Sequence, residues 1–143
     1  MGMTIFVRTA DGKVAALDAP ELERRASLLF RYTNREDWTH VLVFAVDEHL
    51  RYYWLFPEVT AEEPSPKAVP IQRGEGDFDL PRRVVPDIEG SWIQLKVIFT
   101  RQALSTGDVE ALARAERPPG APIVAGGHEV ELLLRIVSPP PPN

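Results

Sequence analysis

Residues 41–56 decide the fold, and they read Val-Leu-Val-Phe-Ala-Val, then Asp-Glu-His, then Leu-Arg-Tyr-Tyr-Trp-Leu-Phe. The first six residues are apolar without interruption, which is typical of a β-strand covered on both faces. The polar triplet is a turn, and the return segment alternates, so Leu50, Tyr52, Trp54 and Phe56 share one face. This pattern predicts a β-hairpin at the centre of the fold.

Short alternating runs on both sides of this hairpin predict further strands. An Asp-Gly turn near the N-terminus predicts an opening hairpin, and Pro81 and Pro86 allow only an edge strand between them. Other runs alternate between apolar and polar residues, as a strand over a core requires. The predicted strands outside the central hairpin are residues 3–8, 13–17, 26–32, 77–80, 82–85, 93–100 and 130–137.

One helix is predicted at about residues 105–116. Ser105 is a natural N-cap with Asp108 at the third helical position, and Pro118 ends the helix. Residues 18–25 are compatible with a short helical turn, because Pro20 suits a first helical position and helix formers follow it.

These elements predict an all-β fold of about eight strands with one short helix. The many short strands favour an antiparallel β-sandwich, or an open barrel, over alternating βαβ units. We expect residues 1–138 to form a single domain and residues 139–143, which contain four prolines, to form an extended tail.

Composition narrows the classes of partner. The 143 residues include 16 basic and 21 acidic side chains, a formal net charge of −5, which argues against a nucleic-acid binder. The longest apolar run is strand-sized, so we expect no membrane insertion by this segment. No signal peptide is visible, which predicts a cytoplasmic protein, or an extracytoplasmic domain if the segment belongs to a longer membrane-anchored chain.

Catalytic patterns are weak throughout the chain. There is no cysteine, and no serine lies in a nucleophile-elbow setting. The glycines of residues 74–76 lack a following helix, and Asp77 and Asp79 lie on the wet side of a predicted strand. We therefore predict no enzyme, no catalytic residue, no metal site and no cofactor. A metal-dependent enzyme built on His40, His49 or His128 stays as an alternative.

Aromatic residues are the most distinctive feature of the composition. If they lined an exposed groove, they would stack on a sugar, a peptide or a proline-rich partner. The other interpretation is that Tyr52, Trp54 and Phe56 fill the core while Tyr53 covers its flank. The candidate ligand-binding residues are Tyr52, Tyr53, Trp54, Trp38 and Trp92.

Several of these segments together resemble a bacterial domain family of unknown function. Members occur beside caspase-like peptidases, protein kinases and, in myxobacteria, anti-sigma-factor-like membrane proteins. The similarity covers about residues 3–137, although the family usually has a glycine in the turn after the aspartate, where this chain has Glu48 and His49. The segments that resemble the family are residues 29–34, 41–47, 53–57, 69–71 and 98–104.

The resemblance implies a non-catalytic accessory or sensing module. With the absence of a converging catalytic set, it predicts a bacterial regulatory, signalling or protein-interaction domain whose partner is another protein. The alternatives are a small-ligand or carbohydrate-binding module that uses exposed aromatic residues, and the metal-dependent enzyme described above.

Overall fold

Two β-sheets and one helix are built from residues 2–8, 12–17 and 20–138, the part of the chain that the computed structural model describes. The tail at residues 139–143 lies outside the described residues. The strands are β1 (Gly2–Arg8), β2 (Val14–Ala16), β3 (Glu21–Glu23), β4 (Ser27–Asn34), β5 (His40–Asp47), β6 (Tyr52–Phe56), β7 (Val69–Pro70), β8 (Gly74–Asp79), β9 (Trp92–Thr100) and β10 (His128–Val137), and the helix is α1 (Thr106–Arg114).

The strands pair into a four-stranded sheet A and a larger sheet B. Sheet A has the order β2-β1-β4-β8, and sheet B has the order β3-β10-β9-β5-β6 with β7 paired to β5. The pairings are antiparallel except for that of β3 with β10. The predicted all-β sandwich with one short helix is confirmed.

The main core lies between the two sheets. From sheet A it receives Leu28, Phe30 and Tyr32, which the alternation of β4 predicts and which are at most 3% exposed. Sheet B contributes Val41 and Val43 of β5, together with the alternating residues of β9. Burial of this apolar area is the main contribution to the stability of such a domain.

A second core lies on the outer face of sheet B. Leu42 and Phe44 of β5 pack there with Ile98 of β9, beneath Val109 of the helix and Val124 of the following loop. The uninterrupted apolar run of β5 follows from this arrangement, since its odd-numbered residues face one core and its even-numbered residues face the other.

The helix that covers the second core begins as its sequence predicts. The hydroxyl of Ser105 accepts a hydrogen bond from the Asp108 N–H at 3.1 Å, and the Asp108 carboxylate accepts one from the Ser105 N–H at 3.2 Å. This reciprocal capping box satisfies two N–H groups at the start of α1. The helix is nine residues long, and no helix within the described residues has the length and apolar character to cross a membrane.

A β-bulge in β6 changes the side chains that this strand buries. Phe44 pairs with Trp54 but Val43 pairs with Phe56, so Leu55 is an extra residue between two partners. Leu55 and Phe56 both enter the main core, whereas Tyr52 and Trp54 pack on the second core. The prediction that Tyr52, Trp54 and Phe56 share one face is therefore wrong, because the bulge inverts the alternation after Trp54.

Two further expectations differ from the structure. Residues 21–23 form a strand and not a helical turn, because Leu22 is buried in the main core and β3 pairs with the end of β10. Asp18 lies outside the described residues. The strand predicted at residues 77–80 is β8, which begins earlier, at Gly74; Gly74 and Gly76 adopt φ values of 156° and 94° that favour glycine.

The edges of both sheets are short, irregular or covered. The edge strands β2 and β3 have three residues each, and β8 is irregular, with a register shift opposite Thr33 and Asn34. At the fourth edge, the Arg82 guanidinium donates a hydrogen bond to the Leu55 carbonyl of β6 at 2.9 Å. Such edges limit strand pairing between molecules.

We expect Leu42→Ala to lower the free energy of unfolding by about 2–5 kcal/mol, because it leaves a cavity beneath the helix. The matched control is Leu112→Ala in the helix, where the leucine is 41% exposed, and we expect a change within about 0.5 kcal/mol. Urea unfolding midpoints measure both, provided that the slope of the transition is unchanged. If both variants lowered the free energy of unfolding by the same small amount, the result would contradict the presence of a second core.

Candidate interaction surface

The helix covers only part of the outer face of sheet B. Beyond it, Val46, Leu50, Trp92 and Leu133 surround a concavity of about 310 Å³ near the β5–β6 turn. We call these four residues the apolar tip patch. Leu50 is 68% exposed, Leu133 56% and Trp92 44%. A contiguous group of large apolar side chains in water marks an interaction site more often than single exposed ones do.

Strand register places the members of the apolar tip patch. Gln94 pairs with Val46 on one side and with Leu133 on the other, so these three residues form a row across sheet B. Trp92 lies two residues along β9 from Gln94, hence on the same face. The Gln94 side chain is exposed and has no hydrogen-bond partner among the described residues.

The turn between β5 and β6 holds Leu50 beside this row. Asp47 N–H donates to the Arg51 carbonyl at 3.1 Å, and Leu50 N–H donates to the Asp47 carbonyl at 3.0 Å. This is a three-residue hairpin loop, whose last residue adopts the left-handed conformation and is usually glycine. Leu50 has a φ of 61°. A leucine in that region costs roughly 1–2 kcal/mol relative to a right-handed conformation.

The Asp47 carboxylate fixes the same turn from within. One oxygen accepts hydrogen bonds from the His49 and Arg51 N–H groups, both at 2.9 Å, and the other accepts one from the Tyr53 hydroxyl at 2.8 Å. Burial by itself raises the pKa of Asp47, but the three hydrogen bonds outweigh it and hold the pKa below its usual value.

Glu48 connects the turn to the start of β9. Its carboxylate accepts hydrogen bonds from the N–H groups of Ser91, at 2.8 Å, and Trp92, at 3.1 Å. Gly90 lies so close to the turn that an added Cβ would be 2.7 Å from the Asp47 Cβ. The absence of a side chain at Gly90 therefore allows the backbone that leads into Trp92 to approach the turn.

Charged side chains around the apolar tip patch are paired within the chain. Lys96 Nζ lies 3.2 Å from the Glu131 carboxylate. The Arg51 guanidinium pairs with Glu89, and that of Arg135 pairs with Glu21. The two arginine pairs are exposed and add little stability, but all three pairs leave the rim of the patch without an uncompensated charge from these groups.

Of the five predicted ligand-binding aromatic residues, only Trp92 lies in the apolar tip patch. Tyr52 and Trp54 are half-buried next to the helix. Trp54 Nε1 donates to Glu110 Oε1 at 2.6 Å, and the Arg114 guanidinium lies 4.4 Å from the centroid of the Tyr52 ring. These two rings anchor the helix to sheet B.

The other two predicted aromatic residues lie apart from this pair. Tyr53 is on the inner face of β6, where it packs against the main core and binds Asp47. Trp38 is 7% exposed, with Arg101 stacked 3.9 Å above its ring and its Nε1 donating to Glu36 at 2.6 Å. The structure thus does not bring the five rings into one groove.

The three histidines do not converge either. His49 lies in the β5–β6 turn, and His40 and His128 begin β5 and β10. The His40 Nδ1 lies 2.7 Å from the Thr39 hydroxyl, and the His128 ring lies against Trp38. Among the described residues, no group of three or more histidines and acidic side chains is placed to hold a metal ion.

Three members of the apolar tip patch were missed in the sequence. Val46 lies in the uninterrupted apolar run of β5 and Leu133 in β10, and neither pattern tells which part of an outer face a helix covers. Leu50 reads as the first residue of the return strand. The only signal for its exposure is its place directly after the polar turn triplet.

Comparisons with protein families, with curated proteins and with solved structures found no match to the chain.

We expect Leu50→Gly to stabilise the protein by up to about 1 kcal/mol. Glycine relieves the left-handed backbone, a gain that its greater freedom in the unfolded chain partly offsets. The control is His49→Gly in the same turn, where φ is not positive and the same change is expected to destabilise. Thermal unfolding of the two variants measures the difference, and a loss of stability in both would refute strain at Leu50.

Asp47 makes the stability of the hairpin depend on pH. Because its pKa is lowered in the folded state, the carboxylate contributes stability that is present above the unfolded pKa of about 3.9 and is lost as the pH falls through the folded value. We expect Asp47→Asn to be less stable at pH 7 by about 1–3 kcal/mol and to lose less stability on acidification.

Urea unfolding between about pH 7 and pH 3 compares the two proteins. Tyr53→Phe, which removes one of the three hydrogen bonds, should fall between them. If the stability of Asp47→Asn depended on pH as that of the unmodified protein does, Asp47 would not contribute to the pH dependence.

Proposed function

We propose that this chain is a non-catalytic regulatory or protein-interaction domain whose partner binds at the apolar tip patch. The proposal includes membership of the bacterial domain family that the strand segments resemble, and a role in signalling. One observation carries it: Leu50, Trp92 and Leu133 are 68%, 44% and 56% exposed, and they lie around one concavity. Covering a group of large apolar side chains with a partner removes them from water, which makes the free energy of binding more favourable.

The conformation of Leu50 supports the proposal independently. Its side chain is the most exposed of the patch, and its backbone occupies a region that favours glycine. A residue that adds neither burial nor backbone stability to the domain itself is expected where its side chain serves binding, because strained backbone is found disproportionately at functional sites.

The rigidity of the surroundings also supports a binding role. The turn is fixed by the Asp47 carboxylate, and the backbone of Trp92 is fixed by Glu48. A surface ordered before binding loses less conformational entropy when the partner arrives. The patch thus has the preorganisation that binding sites require.

Peptide display tests this function without knowledge of the natural partner. Random peptides are selected on the purified protein, and the binding of enriched peptides is then compared between Leu133→Glu and the matched control Leu112→Glu, whose leucine is exposed on the helix. We expect Leu133→Glu to weaken binding about tenfold or more, because it places a charge in the apolar contact, and the control to leave binding unchanged.

Two outcomes would overturn the proposal. One is a selection that enriches no peptide. The other is a set of enriched peptides that bind Leu133→Glu as tightly as the unmodified protein, which would place the binding surface elsewhere on the molecule.

A further inference from the structure

We infer that the partner of the apolar tip patch is a neutral, proline-rich segment in the polyproline II conformation, lying across the strands of sheet B. This inference rests on the proposed function and specifies the chemistry of the partner.

Spacing favours the polyproline II helix over other backbone conformations. Leu133 and Val46 lie on either side of Gln94, two strand spacings or about 9.6 Å apart. A polyproline II helix repeats every three residues, or about 9.3 Å, so residues i and i+3 of one face reach both side chains. In an α-helix the same-face residues closest to this spacing are i and i+7, about 10.5 Å apart. In a β-strand same-face residues lie about 6.7 Å or about 13.4 Å apart, so the polyproline II repeat is the closest match.

The residue between the two apolar contacts is suited to such a backbone. Polyproline II has no internal hydrogen bonds, and its carbonyl groups are exposed, while proline lacks an N–H. The Gln94 side chain offers two N–H donors, is exposed and is unpaired among the described residues. It can therefore donate to a carbonyl of the segment between residues i and i+3.

Trp92 supplies the flat apolar surface that a proline ring requires. Trp92 is 44% exposed as a residue and lies on the same face as Gln94, two residues along β9. Recognition of proline-rich segments generally uses aromatic surfaces of this kind, since the partner is already ordered and loses little conformational entropy on binding.

The charges favour a neutral segment. Lys96, Arg51 and Arg135 are each paired with a glutamate of the same chain, and Glu48 is bound by backbone N–H groups. A charged partner would have to compete with these pairs, whereas a neutral one leaves them intact.

The size of the patch favours a single segment over a folded partner. The exposed parts of Leu50, Trp92 and Leu133 amount to on the order of 300 Å² of apolar area. A stable interface between two folded proteins buries about 800 Å² on each side. A short segment with a preformed backbone needs less area, and its binding is expected to be weak and reversible.

Titration with a blocked decaproline peptide tests the inference by ¹H–¹⁵N NMR. The chain has three tryptophans, so the indole N–H signals of Trp38 and Trp54 serve as controls within the same spectrum. We expect the Trp92 indole and the Gln94 carboxamide signals to shift, and a blocked, neutral Gly-Ser peptide of the same length to cause no shift.

Two variants test the contacts. Gln94→Glu keeps the size of the side chain but replaces the donor with a carboxylate, and we expect about tenfold weaker binding. Trp92→Ala should weaken binding to a similar extent, and Trp54→Phe should not change it. The dispersion of each NMR spectrum shows whether the variant is folded, and the Gln94→Glu result stands alone if Trp92→Ala does not fold.

The inference is overturned if decaproline at millimolar concentration leaves Trp92 unshifted, if it shifts Trp38 or Trp54 instead, or if Gln94→Glu binds as the unmodified protein does. A larger response of Trp92 to cello-oligosaccharides than to decaproline would also overturn it and favour a carbohydrate-binding module. If display selects apolar peptides without proline that bind at Leu133, the proposed function stands and only the partner class is wrong.

Discussion

The double burial of β5 is the constraint on which the rest of the structure depends. Its odd-numbered residues, such as Val43, need a second sheet to cover them, and its even-numbered residues, such as Phe44, need a further layer on the other side. Sheet A provides the first cover and α1 provides the second. If Phe44 were exposed, the fold would lose a few kcal/mol of stabilisation from its burial. The capped helix and the loop after it are therefore an integral part of the fold.

The second layer is shorter than the sheet that it covers, and the candidate surface follows from that mismatch. The helix extends over Leu42, Phe44 and Ile98, and beyond it sheet B faces water. The uncovered part still carries apolar residues, including Trp92 and Leu133. The helix therefore marks the boundary on this sheet face between the buried second core and the exposed part that carries the candidate surface.

The features predicted correctly from the sequence are those that depend on short-range patterns of residues. Alternation placed Leu28 and Phe30 in the core, and the capping residue Ser105 placed the start of the helix. It did not predict the bulge at Leu55, because an extra residue in a strand leaves no distinct pattern among apolar neighbours. β3 was also missed, since its helix-forming residues become a strand only by pairing with β10, more than a hundred residues away in the chain.

The candidate site was less predictable than the fold. The aromatic residues of the sequence led to the prediction of five ligand-binding rings, and of these only Trp92 lies in the apolar tip patch. The other members are ordinary aliphatic residues such as Val46, and their grouping depends on the register of three strands. Neither the register nor the extent of helix cover can be read from local periodicity.

The short, irregular or covered sheet edges affect how molecules of this protein associate with each other. A row of free backbone groups on a long flat strand would template the addition of another chain, as in cross-β fibrils. Here β2 and β3 are too short for that, and the carbonyl of Leu55 is already occupied by Arg82. With the irregular β8 at the remaining edge, backbone pairing between molecules is disfavoured, and we expect contacts in a concentrated solution to be made by side chains on the sheet faces.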